Sequence, residues 1–188
     1  WKQEVRANST PIKWRVLDIN HNRILLLSEY VIDFLMYNHG LRYSNLKFSQ
    51  LTTWYNNIFY PNAFNDQEKE KIIPHNTVIL DTDKHTADVR SEKVFSLSCY
   101  MANTSFVSDN DRRCKAVPLV SYKCKLKEEN YCHWWLQSDY NNLNTSEILV
   151  NAKGQVADDY YDQELKYVMI RPAIYVDISA LWMKNNNQ

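Results

Sequence analysis

The chain has 188 residues and 22.4 kDa, with 22 basic and 22 acidic side chains, so its formal net charge is zero. Equal charges leave no overall field that would attract nucleic acid, and no run of about 18 apolar residues exists that would span a membrane. Hydrophobic residues make up 45% of the chain, which suits one domain over residues 1–188. We expect its core at about 11–178 and a fraying tail over 180–188.

The N-terminal segment predicts a β-hairpin. Ile12–Leu17 begins with alternating apolar and charged residues, which is typical of a strand with one buried face. Asn20–Asn22 has turn composition, and Arg23–Ser28 is predicted as the second strand. Residues 30–43 have apolar clusters without a clean period and are predicted mostly as loop.

Two helices are predicted next. After Ser49, apolar residues recur at positions 51, 54, 55, 58 and 59, which places them in one stripe of a helix that Pro61 would end. Asn65 and Glu68 have the spacing of a capping box and predict a short second helix, which ends before Pro74.

The middle of the chain predicts short elements joined by polar segments. We expect two strands, a charged loop, a helical turn, an exposed turn and a further short strand. The predicted strands are Asn76–Asp81, Val94–Ser98 and Ala116–Tyr122. Residues 82–90 are predicted as the charged loop, Cys99–Phe106 as the helical turn and Asp109–Arg113 as the exposed turn.

The closing third is predicted to form the centre of the fold. His133–Leu136 and Ile148–Val150 are short apolar runs of the kind found in buried strands. Ala152–Gln155 contains one of only two glycines in the chain and predicts a hairpin turn. Tyr167–Val176 is a long strand interrupted by Pro172, which predicts an edge position or a bulge there.

The four cysteines are an even number, which fits one or two disulfides in an exported protein. Buried free thiols are the alternative. No C-x-x-C spacing occurs, so a zinc ribbon or a thioredoxin-type centre is not expected. The disulfide candidates are Cys99, Cys114, Cys124 and Cys132.

The order of several landmarks resembles a large family of bacterial, often exported, domains of unknown function. The family pattern runs from P-I-x-W-R-V-L and L-L-L-S through a Trp-containing helix to W-W-L-R-S-P and V-R-P-A-L-W-V. Here the matching segments are Pro11–Leu17, Leu25–Ser28, Ser49–Phe64, Glu68–Ile73, Val94–Ser98, Trp134–Asp139 and Ile170–Val176. This family in turn looks like the C-type-lectin-like fold shared with formylglycine-generating enzymes. The resemblance implies an α+β fold, in which a twisted antiparallel sheet is flanked by two helices and displays long loops.

Trp134 and Trp135 are adjacent on a predicted strand, so their side chains point to opposite faces. Arg171 lies on an apolar strand, and its burial would require a carboxylate or several carbonyls as partners. The carboxylates considered are those of Asp158, Asp159 and Asp177. Structural roles are predicted for Trp14, Trp54, Trp134, Arg171 and Pro172.

Two segments beside the closing hairpin, Asp139–Asn142 and Asp158–Asp162, predict a recognition surface, because Tyr and Asn give rigid and adaptable contacts. The alternative is plain solvated loop. The predicted ligand-binding residues are Trp135, Gln137, Asp139, Tyr140, Asn141, Asn142, Asp158, Asp159, Tyr160 and Tyr161. No cofactor or metal site is predicted, and the one ion left open is calcium, for which Asp109–Asp111 is the densest oxygen cluster.

These observations favour a secreted or cell-surface domain that is not an enzyme and that binds a protein or a glycan through its loops. No His pairing, G-x-S-x-G or phosphate-binding loop occurs in the sequence. An enzyme of the sulfatase-modifying kind is the alternative from another class, and a purely structural module of a larger surface protein is the third. The sequence does not indicate an oligomeric state.

Overall fold

The computed structural model describes residues 10–20, 22–36, 51–81, 86–126, 130–137, 148–158 and 167–179. The strands in these ranges are β1 Trp14–Asn20, β2 Arg23–Ser28, β3 Asp33–Met36, β4 Ile72–Ile73, β5 His75–Asp81, β6 Thr86–Glu92, β7 Trp134–Trp135, β8 Ile148–Val150, β9 Val156–Asp158, β10 Tyr167–Ile170 and β11 Ala173–Asp177. The helical segments are a π-helix at Trp54–Phe59, α1 Tyr60–Ala63, α2 Asp66–Lys71, α3 Cys99–Thr104, α4 Asp109–Arg112 and α5 Pro118–Lys123. The fold is therefore α+β, and no helix of the described ranges could cross a membrane.

The first sheet joins the two ends of the described chain. Its order is β1-β2-β11-β4, and all three pairings are antiparallel. The predicted N-terminal hairpin is confirmed as β1 and β2, with a register shift between Val16 and Asp18. The closing strand β11 lies next to β2, with Ala173 opposite Leu27, so this sheet depends on a contact between residues far apart in sequence.

The second sheet has the order β3-β10-β7-β8-β9. Its pairings are antiparallel except for that of β10 with β7, which is parallel. The predicted strand β8 lies in the interior of this sheet, and all three of its residues are buried. A separate two-stranded sheet consists of β5 and β6.

The predicted long strand at 167–176 is two strands. β10 ends at Ile170 and β11 begins at Ala173, and the two belong to different sheets. Pro172 has no N–H for a ladder, and its carbonyl accepts a hydrogen bond from the Ser28 amide at 2.9 Å. The prediction of an edge or a bulge was therefore wrong, because the chain crosses from one sheet to the other at Arg171-Pro172.

Two groups of apolar side chains form the core. Trp134, with no exposed surface, belongs to the group that includes Leu27 and Phe95. Trp135 belongs to the group that includes Tyr55 and Ile174. Neighbouring residues of a strand point to opposite faces, so the tandem tryptophans connect the two groups.

The helical segment that follows residue 50 continues through Pro61. The expectation that Pro61 ends the helix was wrong, because this residue lies at the start of α1, directly after the π-helix. Pro61 has no N–H to donate to the preceding helical turn, so one backbone hydrogen bond is missing at this junction. The capping box of α2 is confirmed: the Asn65 side chain accepts from the Glu68 amide at 2.9 Å, and the Glu68 carboxylate accepts from the Asn65 amide at 2.8 Å.

Five further segments differ from the expectations. β3 and β6 occupy segments predicted as loop, and α4 occupies a segment predicted as an exposed turn. The strand predicted at 116–122 is instead the helix α5. Short apolar runs do not distinguish a strand from a helix, and Pro118 at the helix start decides for the helix here. The strand predicted at 94–98 forms only single bridges, at Phe95 and Ser98.

Candidate ligand-binding face

Three strand ends meet at one end of the second sheet. Asp158 of β9 lies opposite Ile148 of β8, and the Leu136 amide after β7 donates to the Ile148 carbonyl at 2.9 Å. Gln137 follows directly. The predicted recognition segments leave the described chain at these points, because residues 138–147 connect Gln137 to Ile148 and residues 159–166 follow Asp158. We call this end of the sheet, with the start of α3, the loop-end face.

Helix α3 begins next to this end of the sheet. Ser98 bridges to Gln137, whose amide donates to the Leu97 carbonyl at 2.8 Å. The Ser98 hydroxyl caps α3 by accepting from the Met101 amide at 3.1 Å. α3 also packs against β9. The face therefore has a helix start on one side and three strand ends on the other.

Tyr100 is the exposed aromatic residue on this helix. It exposes 72% of its surface, whereas Cys99 and Ala102 of the same helix are buried. Sequence reasoning did not select it. The signal was nevertheless present, since a Ser98 cap with buried residues at 99 and 102 places residue 100 on the outer side of a helix.

The described candidate residues are buried beside the face. Trp135 and Gln137 each expose 9% of their surface. The Gln137 backbone is held on both sides, because its carbonyl also accepts from the Cys99 thiol at 3.9 Å. Their direct contact with a ligand stays a prediction, and this geometry favours a role in positioning the loop ends.

The other predicted binding residues fall largely outside the described part of the chain. Asp158 ends β9, but its side chain is not among those described. The residues that lie outside the described ranges are Asp139, Tyr140, Asn141, Asn142, Asp159, Tyr160 and Tyr161.

The predicted calcium cluster is engaged in local contacts. The Asp109 carboxylate forms an ion pair with Arg112, and the Asp111 carboxylate accepts from the Ser108 hydroxyl at 3.1 Å. The Asn110 side chain accepts from Arg113 at 3.0 Å. Within the described ranges, no three His, Cys, Asp or Glu side chains are arranged to hold a metal ion.

The sequence profile of the family described as a domain of unknown function, DUF6273, matches residues 21–178. The chain belongs to this family. No curated protein and no solved structure gave a match to the chain. Strand β1 lies before the matched range, although it is an edge strand of the first sheet.

In this DUF6273 domain, the β8–β9 hairpin is fastened to α4. The predicted turn is confirmed: the Asn151 amide donates to the Gln155 carbonyl at 2.9 Å. Gly154 has a φ of +88°, and an added Cβ would lie 1.7 Å from the Asp109 carbonyl oxygen. Only glycine permits this close approach. The Gly154 carbonyl also accepts from Nε of Arg112 at 2.8 Å, so the hairpin that carries two of the loop ends is fixed in position.

Arg112 connects this hairpin to the rest of the face. It exposes 8% of its surface, and a second guanidinium nitrogen donates to the Ala102 carbonyl in α3 at 3.2 Å. Its own carbonyl accepts from the Trp134 indole at 3.2 Å. One side chain and its backbone thus join α3, α4, the hairpin turn and β7.

Arg171 is fully buried and contacts carbonyls. Its Nε donates to the Ser28 carbonyl at 2.9 Å, and longer contacts of 3.4 and 3.5 Å reach the carbonyls of Arg112 and Glu29. Its guanidinium carbon lies 4.8 Å from the centre of the Trp134 ring. Burial lowers the pKa of Arg171 below its ordinary value.

The sequence left open whether carboxylates or carbonyls are the partners of Arg171, and the structure shows carbonyls. The Asp177 carboxylate accepts from the Ser179 amide at 2.8 Å. Asp158 and Asp159 have no described side chain. The other two residues given structural roles stack on aromatic neighbours, Trp14 on Phe64 at 6.1 Å and Trp54 on Phe59 at 5.3 Å.

The disulfide prediction was wrong: Cys99, Cys114, Cys124 and Cys132 are all buried free thiols. They behave as small apolar residues, and all four belong to the first core group. The Cys114 thiol lies 3.4 Å from the Glu29 carbonyl oxygen, to which it donates. Burial raises the pKa of Cys114 and raises that of Cys132 to about 12, so these thiols are protonated at neutral pH.

Proposed function

We propose that this DUF6273 domain binds a macromolecular partner at the loop-end face. The observation that carries the proposal is the convergence of Gln137, Ile148 and Asp158 at one end of the sheet, beside the exposed Tyr100. Residues 138–147 connect two of these strand ends, and residues 159–166 begin at the third. A rigid scaffold that places variable, polar loops together is the usual arrangement of a binding site.

The chemistry of the attached segments favours a protein with a basic surface. Residues 138–147 and 158–166 contain six carboxylates and one cationic side chain, that of Lys166. The carboxylates are Asp139, Glu147, Asp158, Asp159, Asp162 and Glu164. Three tyrosines lie in the same segments, and aromatic faces attract the guanidinium and ammonium groups of a basic partner. Among the ligand classes considered, a basic protein segment complements this composition better than a neutral glycan.

We also propose that the finer fold is C-type-lectin-like and that the domain is part of an exported protein. The pairing of the closing strand β11 with the N-terminal hairpin supports the first proposal. So does the pairing of the Trp-containing strand β7 with the hairpin strand β8. The export proposal depends on the family resemblance and is tested by fractionation of cells that produce the full-length protein.

The binding proposal is tested by screening the domain against arrays of surface proteins, basic peptides and glycans. Tyr140→Ala and Tyr160→Ala should each weaken binding by on the order of ten-fold or more, as removal of an interfacial anchor does. Binding should also weaken with salt, because the expected contacts are ionic. Tyr30→Ala is the matched control, since Tyr30 is an exposed tyrosine between β2 and β3 and belongs to neither binding segment. Equal affinity of all three variants for a confirmed partner would contradict the assignment.

A further inference from the structure

Helix α5 exposes an apolar pair. Its inner side is formed by Val120 and by Cys124 just after its end, which expose 3% and 8% of their surface. Leu119 and Tyr122 expose 55% and 83%. Residues three positions apart are neighbours on a helix, so these two side chains form one small apolar surface. Within the described part of the chain, neither belongs to the two core groups.

The surroundings of this pair are basic although the whole chain is neutral. From Arg113 to Leu126 the sequence has four cationic side chains and no carboxylate. Three of them are exposed lysines, at positions 115, 123 and 125. Arg113 and Lys115 lie over the ring of Tyr131, at 3.5 and 5.6 Å from its centre. Burial raises the pKa of Asp33, and the charge of Lys123 acts against this rise.

Lys125 adopts a conformation that ordinarily favours glycine. Its φ is +52°, the one positive φ of a non-glycine residue in the described ranges. The Leu126 amide donates to the Ser121 carbonyl at 2.8 Å and the Lys125 amide to the Tyr122 carbonyl at 3.2 Å, which is the Schellman pattern at a helix end. Gly or Asn usually occupies this position. The lysine therefore carries a backbone cost that glycine would not carry, and this cost motivates a hypothesis about its side chain.

We propose that Leu119, Tyr122, Lys115, Lys123 and Lys125, the α5 patch, dock on an anionic lipid surface. The lysines would contact lipid phosphates, while the leucine and the tyrosine ring enter the boundary between headgroups and acyl chains. Charge complementarity supports this occupant, because each lysine near an anionic membrane adds to the attraction. The α5 patch contains none of the residues of the loop-end face, so this inference does not depend on the binding proposal above.

The size of the patch favours lipid over an acidic protein. A stable protein interface buries about 800 Å² on each partner, with several apolar anchors at its centre. The α5 patch offers two large apolar side chains. A lipid surface needs no matching shape and accepts a few amphipathic side chains surrounded by basic ones.

The proposal is tested by sedimentation with two kinds of vesicle, one of phosphatidylcholine alone and one that also contains phosphatidylglycerol as about one third of the lipid. The wild-type domain should bind the anionic vesicles at low salt, release them at high salt and ignore the neutral vesicles. Lys125→Gly should weaken binding by roughly five-fold, the effect of one lysine near the surface, and should unfold at a higher denaturant concentration than the wild type. Leu119→Ser with Tyr122→Ser should weaken binding on the order of ten-fold or more.

Matched controls are Val89→Ser, which removes an apolar side chain that is 61% exposed on β6, and Lys13→Ala, which removes an exposed lysine before β1. Both should bind anionic vesicles like the wild type. The proposal is overturned if the wild type does not bind anionic vesicles, if it binds neutral vesicles equally, or if Lys125→Gly binds as well as the wild type. Retention on immobilised poly-glutamate without vesicle binding would identify an acidic polypeptide as the partner and would also overturn it.

Discussion

Replacement of Gly154 by alanine tests how the loop-end face is held together. The added Cβ would lie 1.7 Å from the carbonyl oxygen and 2.6 Å from the carbonyl carbon of Asp109. Backbone atoms cannot move aside as the end of a long side chain can, so the hairpin turn must separate from α4. A φ of +88° adds about 1 kcal/mol for a residue with a Cβ. Separation would also break the 2.8 Å bond from Arg112 to the Gly154 carbonyl, worth about 1.5–3 kcal/mol for a charged donor.

Together these losses predict that Gly154→Ala lowers the free energy of unfolding by about 2.5–4 kcal/mol, a large part of the 5–15 kcal/mol typical of a domain. Urea unfolding at constant pH, followed by tryptophan fluorescence, measures this difference. Lys153→Ala is the control: its side chain is exposed in the same turn, so its value should stay within about 0.5 kcal/mol of the wild type. If Gly154→Ala behaved like this control, the contact between the turn and α4 would not exist as described.

Three further outcomes are expected. Arg171→Met should lower the free energy of unfolding by about 1–3 kcal/mol in the same urea assay, because the Ser28 carbonyl loses its donor in a buried site, and an unchanged midpoint would refute this. Arg15 lowers the pKa of Glu29 by a hydrogen bond and by its charge. The ion pair of these two residues therefore stabilises the fold fully at pH values above the ordinary Glu pKa, and this stabilisation is lost as the pH falls through the lowered pKa of Glu29. Arg15→Gln should therefore flatten the acid side of the stability curve, and parallel curves for the two proteins would count against it. Thiol titration should find the cysteines, Cys132 among them, unreactive in the native protein and four reactive thiols after denaturation without reductant, whereas fewer than four would indicate a disulfide.

Local patterns predicted the elements whose causes are local. The capping box at Asn65 and Glu68 needs only residues three positions apart, and the turn at Ala152–Gln155 needs only its glycine. The short apolar run at Ile148–Val150 was correctly assigned because a strand that is buried on both faces has no polar face to display. In each of these cases the residues that decide the conformation lie within the element itself.

Elements that depend on distant partners were not predicted. β6 is polar and charged. It is a strand because β5 pairs with it along its whole length, from His75 opposite Glu92 to Asp81 opposite Thr86. β3 is a strand because β10 lies next to it. The change of sheet at Pro172 likewise requires β2, which is distant in sequence, to accept the closing strand.

The same distinction applies to the loop-end face. The sequence predicted the two polar segments. It did not predict that the strand ends to which they are attached lie together, because that depends on the pairing of β7, β8 and β9. The buried contacts of Arg112 were also not predicted, because its partners in Gly154 and Ala102 are backbone carbonyls, which every residue carries. An even number of cysteines does not distinguish disulfides from buried free thiols when the distances between the cysteines are unknown.

The central claim, that partners bind where the three strand ends meet, is tested most directly by hydrogen–deuterium exchange of the domain with and without a partner obtained from the array screen. The account predicts slower exchange in peptides covering 98–101, 137–148 and 158–167, with no change in the β5–β6 hairpin. Protection confined to other surfaces, such as β1 or β5–β6, with these three segments unchanged, would contradict it.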